Sequence, residues 1–137
     1  YIIILLMITI LSCSTSKLSE SNLCKNGKQV EIFKDKKIFS KNKKGITIYF
    51  DTGFDSNLKL MINEKIVIDT LIKTSPVSEP IFLNYSYKTS NDKQILKIKT
   101  DIDCLEVELD KKYNVLGLYN YSDKWILSYR KELPSFE

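Results

Sequence analysis

The chain of 137 residues has no histidine. That absence removes Ser-His and Cys-His nucleophilic catalysis and most zinc and copper sites, all of which depend on imidazole. Glycine is scarce as well: Gly27, Gly45, Gly53 and Gly117 stand alone, so no glycine-rich loop is present to cradle a phosphate. Arg130 is the single arginine among 21 basic residues, and the lysines are interleaved with 17 acids. Nucleic-acid recognition leans on the bidentate fork of arginine, so a net charge of +4 carried this way describes a mildly basic surface, not a nucleic-acid partner. Cys24 and Cys104 alone cannot complete a structural zinc site. The expectation is a domain without cofactor, without metal and without catalytic residues, and therefore not an enzyme.

What is present begins with an apolar run, "YIIILLMITIL", from Tyr1 to Leu11. It is too short to span a bilayer, which takes about 20 residues, and matches the apolar core of a secretory signal. Next, "ILSC" (Ile10, Leu11, Ser12, Cys13) resembles the lipobox of bacterial lipoproteins, with Leu11 standing where a smaller or β-branched residue is commoner. The resemblance covers the first 13 residues. It implies a thioether-linked diacylglyceryl group on Cys13, cleavage before that residue, and acylation of the new amine, by palmitate for example. Two or more acyl chains anchor stably where one does not. Residues 1–12 then form a signal peptide whose start lies before the given sequence. Residues 13–27 are the lipidated cysteine and a polar tether, and 28–137 a single domain. The membrane, through Cys13, is one expected partner, and a bacterial cell envelope, at the outer membrane or a periplasm-facing one, is the expected location.

An exported chain with Cys24 and Cys104 left over has two options, a disulfide or two free thiols. The bond would tie the tether to the domain and add about 3–5 kcal/mol in the chain-entropy model.

From Gly45 onward, alternation dominates. Ile46, Ile48 and Phe50 alternate with Thr47, Tyr49 and Asp51; Leu58, Leu60 and Ile62 do likewise. Asn63-Glu64 makes a tight turn into "KIVIDTLI", with Ile66 and Ile68 facing inward. Ile81, Leu83, Tyr85 and Tyr87 share a face, as do Leu96, Ile98, Ile102 and Cys104; after Cys104 the phase slips by one residue, which predicts a bulge or a corner between sheets. Gln29–Phe33 and Lys37–Ser40 suggest a short hairpin. The prediction is all-β: a small antiparallel β-sandwich, Ig-like or jelly-roll-like, of about eight short strands after the tether, behaving as a monomeric domain.

Two stretches invite a chemical reading. "FDTG", Phe50 to Gly53, resembles the catalytic loop of aspartic peptidases, and "NVLG", Asn114 to Gly117, their later apolar-apolar-Gly segment. That resemblance implies a dimer sharing two Asp51 carboxylates. Phe54 stands where the family carries Ala or Ser, and no glycine between Gly53 and Gly117 supplies a flap, so Asp51 reads as a turn residue followed by turn formers. Asp51, Asp55, Ser56 and Asn57 lack the acidic spacing of a calcium loop. Aromatics concentrate near the end of the chain. Tyr119, Tyr121, Trp125 and Tyr129 are a possible binding surface for a glycan or a protein partner, the alternative being that they fill the core.

Overall fold

The computed structural model describes residues 24, 28–36, 44–74, 80–88 and 93–135. The expected signal peptide, Cys13, most of the expected tether and the second arm of the expected N-terminal hairpin lie outside the described residues. Period-two alternation places successive side chains on opposite faces of a strand, and the apolar set of each strand selects the face that is buried. Nine strands result among the described residues: β1 (Gln29–Lys34), β2 (Gly45–Thr52), β3 (Asp55–Ile62), β4 (Lys65–Lys73), β5 (Ile81–Ser86), β6 (Ile95–Lys99), β7 (Cys104–Glu108), β8 (Val115–Asn120) and β9 (Lys124–Arg130). They form a small β-sandwich. One sheet has the order β1-β9-β8-β2-β5 and the other β4-β3-β6-β7. Antiparallel pairs dominate, but β1 with β9 and β2 with β8 run parallel.

The core fills the space between the sheets. Ile48, Phe50, Leu58, Leu60, Leu96, Ile98, Leu116, Leu118 and Leu127 are all fully buried, each stabilising the fold by about 1.5–3 kcal/mol before its entropy cost. Aromatic rings pack in the core around the connection from β2 to β3. Phe54 meets Phe50 edge-on at 5.2 Å between ring centres and lies 5.9 Å from Trp125.

Local chemistry accounts for the connections. Asn63 (φ 50°) and Glu64 (φ 64°) both adopt left-handed backbone, as the two-residue turn between antiparallel strands requires. Beyond this turn the pairing jumps from Met61↔Ile66 to Leu60↔Ile68, so Val67 is an extra residue. That bulge overturns half of the expectation for β4: Ile68 packs on the core, whereas Ile66 is 52% exposed. The expected face of Leu96, Ile98, Ile102 and Cys104 also breaks. Asp103 donates its N–H to Thr100 Oγ1 at 2.9 Å, closing a turn whose tip is Ile102, 88% exposed. The slip in phase is therefore a hairpin turn within one sheet, not a corner between two, because β6 and β7 pair directly with Ile98 opposite Leu105. β1 lies parallel along β9, with Val30 beside Trp125 and Ile32 beside Leu127.

On the outer face of the five-stranded sheet, Tyr49 is opposite Gly117 in the parallel β2–β8 pair and is fully buried. Its ring occupies the space where a Cβ on residue 117 would stand. Gly117→Ala should therefore lower stability by about 1–3 kcal/mol through overpacking, read from the urea midpoint at unchanged slope. An unshifted midpoint would mean that the Tyr49 ring moves aside at no cost.

Candidate functional site

β9 lies between β1 and β8, and its two faces do different work. Trp125, Leu127 and Tyr129 point into the core and are 0%, 0% and 1% exposed. Two of the four aromatic residues singled out from the sequence, Trp125 and Tyr129, are thus core residues, because odd positions of this strand face the opposite sheet. The other two remain at the surface: Tyr119 is half-buried and Tyr121 is 41% exposed.

Even positions of β9 face outward. Ile126, Ser128 and Arg130 form the floor of a groove whose walls include Phe33 from β1, with Tyr119 and Tyr121 from the end of β8. Its volume is about 440 Å³, inside the range of about 300–1,000 Å³ usual for small-ligand sites. The Tyr119 hydroxyl lies 3.2 Å from that of Tyr49. Burial, with help from this contact, pushes the Tyr49 phenol well above the ordinary tyrosine range, while the nearby Arg130 charge pulls the other way. Arg130 itself donates Nε–H to Ser128 Oγ at 3.2 Å. Among the described residues no carboxylate forms an ion pair with it. Phe33 was not legible in the sequence as a groove residue, since nothing local announces the parallel β1–β9 pair.

Both ends of the groove are braced. At the Tyr121 end, Lys28 pairs with Asp103 at 2.8 Å and donates to Asn120 Oδ1 at 2.7 Å and to the Tyr121 carbonyl. The same ammonium stands 5.6 Å over the Trp125 ring. Beside it, Cys24 and Cys104 form the disulfide, 80 residues apart in sequence with Cα atoms 5.0 Å apart. At the other end, Lys34 pairs with Asp110 at 2.8 Å above the Tyr129 ring. Burial works against ionised Asp110, but the hydrogen bonds from Lys34 and from the Lys112 N–H outweigh it and hold the carboxyl below its usual range.

Asp51 and Thr52 end β2, with Thr52 opposite Tyr119, and Gly53 begins the passage to β3. The register with β8 shifts between Phe50 and Thr52, leaving Asp51 as the extra residue, and Thr52 Oγ1 donates to Asp51 Oδ1 at 2.8 Å. Gly53 has φ +85° and its Cα abuts the Asn120 backbone, a place with no room for a side chain. That left-handed residue turns Phe54 into the core, where it is 1% exposed. The stretch is a bulge followed by a turn. The segment Asn114 to Gly117 runs into β8, parallel to β2.

No family model, curated protein or solved structure matches this chain. The groove is therefore read on its own chemistry.

Three phenols carry a pH dependence. Burial raises Tyr49 and Tyr87 well above the ordinary range, and pushes Tyr129 up to about 12. A phenol raised on folding contributes stability that is complete below its unfolded value near 10 and is lost as pH climbs through the folded one. Ultraviolet titration should find three of the tyrosines still protonated at pH 11, ionising together with unfolding, and Tyr129→Phe should remove one of them. A single reversible step for all tyrosines near pH 10 would contradict the burial described above.

Proposed function

We propose that this chain is a lipid-anchored, non-catalytic binding module of the bacterial cell envelope. Acyl chains on Cys13 hold it at a membrane, and its ligand, a glycan or a protein, docks in the groove over β9. The observation that carries the binding half is the groove itself: aromatic walls and an arginine that forms no ion pair among the described residues, on a sheet face. Aromatic and arginine side chains are the residue types that contribute most to binding free energy. Sheet-mounted side chains are also pre-organised, so less entropy is lost when a ligand docks. The anchoring half rests on the "ILSC" spacing followed by a polar tether.

A second reading, a structural or assembly component of the envelope, is favoured by a different surface. β4 forms an edge of the four-stranded sheet and exposes Ile66 at 52% and Leu71 at 62%, an apolar edge of the kind that pairs with other chains.

Cross-linking in living envelopes separates the two. Partners should be retained by the full chain and by Leu71→Ala, and lost from a Tyr121→Ala/Arg130→Gln double variant. Loss with Leu71→Ala alone would favour the assembly component. Anchoring has its own check: labelled palmitate should enter the precursor but not Cys13→Ala, and equal labelling of both would refute lipidation at that residue.

A further inference from the structure

Among the described residues, Arg130 is a groove cation that forms no ion pair with a carboxylate. Lys34, which also lines the groove, holds Asp110 at 2.8 Å, and beyond the lining Lys28 pairs with Asp103 at 2.8 Å and Lys124 with Glu31 at 2.9 Å. Arg130 has only Ser128 Oγ on its Nε. That single bond orients the guanidinium and leaves the N–H groups of both terminal nitrogens for a carboxylate, in the paired geometry that arginine offers and lysine does not. Around it stand Phe33, Tyr119 and Tyr121, flat side chains with an apolar body and, in the tyrosines, a polar tip. Tyr119 already keeps its hydroxyl at the Tyr49 hydroxyl, which holds the ring in place.

The position of the groove narrows the ligand class. It lies on the face of the sheet, above β8 and β9, which are hydrogen-bonded to each other and to β2 and β1 on either side. Among the described strands the edge on this side is β1; over the groove floor itself, where both strands are already paired on either side, an extended peptide cannot bind by adding a strand. Recognition therefore falls to side chains: aromatic faces, the Ser128 hydroxyl and the Arg130 guanidinium, while Lys34 and Asp35, which also line the groove, are already engaged, Lys34 by Asp110 and the Asp35 carboxylate by the Lys131 N–H at 3.2 Å. A pyranose ring carrying a carboxylate matches all three, with C–H faces for the rings, hydroxyls for the polar tips and an anion for Arg130.

Resting on the binding-module reading above, we propose that the groove recognises an acidic sugar, with Arg130 taking its carboxylate and Tyr119, Tyr121 and Phe33 packing against the ring.

The test is calorimetric titration of the full chain in detergent micelles with four probes: oligogalacturonate, its methyl ester, a neutral galactose oligosaccharide and tetraglutamate. The acid form should bind saturably, and the ester and the neutral sugar at least about tenfold more weakly, as befits the loss of a charge-assisted hydrogen-bond pair. Arg130→Gln should abolish that discrimination. Arg130→Lys keeps the charge, guards against a folding defect, and should lose most of the preference because it cannot fork. Tyr121→Ala should weaken acid and ester alike by about threefold or more through lost stacking. Equal binding of acid and ester, or no saturable binding of the uronate, overturns the assignment; tetraglutamate binding as well as the uronate overturns it in favour of a peptide. If the uronate fails while envelope partners still require Tyr121 and Arg130, the acidic-sugar assignment alone falls. If that requirement fails too, the binding module goes with it.

Discussion

The pleat of β9 is the constraint on which the rest depends. Because successive side chains leave a strand on opposite sides, burying Trp125, Leu127 and Tyr129 against the second sheet obliges Ile126, Ser128 and Arg130 to face out. The same strand pairs with β8 on one side and β1 on the other. One seven-residue element therefore closes the core, forms the groove floor and holds the N-terminal strand. Slipping its register by one residue would bury the arginine and expose the tryptophan, two costs that reinforce each other and make this register firm.

Around β9 the polar contacts position more than they stabilise. Partly exposed ion pairs such as Lys34–Asp110 contribute about 0–1 kcal/mol each, and their importance is geometric: they absorb the lysine charges beside the groove. Lys28 has a larger part. It joins the beginning of β1 to Asp103, to the β8–β9 turn and to the indole of Trp125. The neighbouring Cys24–Cys104 bond spans 80 residues and, by constraining the unfolded chain, contributes about 4 kcal/mol in the chain-entropy model. Together they fasten the start of the domain to the body of the sandwich, next to the Tyr121 end of the groove.

Glycine scarcity has a visible consequence. With four in the chain, the fold spends Gly53 on a left-handed turn and Gly117 on a close approach of the Tyr49 ring. Elsewhere Asn63 and Glu64 accept positive φ themselves, Asn being among the residues that tolerate it best. The turn at Asp51–Thr52–Gly53 shows how a sequence resemblance and a structural role can share the same residues. Its glycine is needed because φ is positive there and the Asn120 backbone leaves no room for a side chain.

Alternation and turn chemistry, both local, made the sandwich class, most strand positions, the Asn63–Glu64 turn and the two faces of β9 readable in the sequence by itself. The pairing of Cys24 with Cys104 was one of two readings there, and contact in space decided it. Only the tertiary structure decided what depends on partners distant in the chain: the parallel seats of β1 and β8, the bulge at Val67 that turns Ile66 outward, the hairpin that exposes Ile102, and the arrival of Phe33 beside Tyr119 and Arg130. Periodicity states which side of a strand is apolar. It carries no information about which other strand will lie alongside, because that choice is made by the summed burial and hydrogen bonding of the whole sandwich.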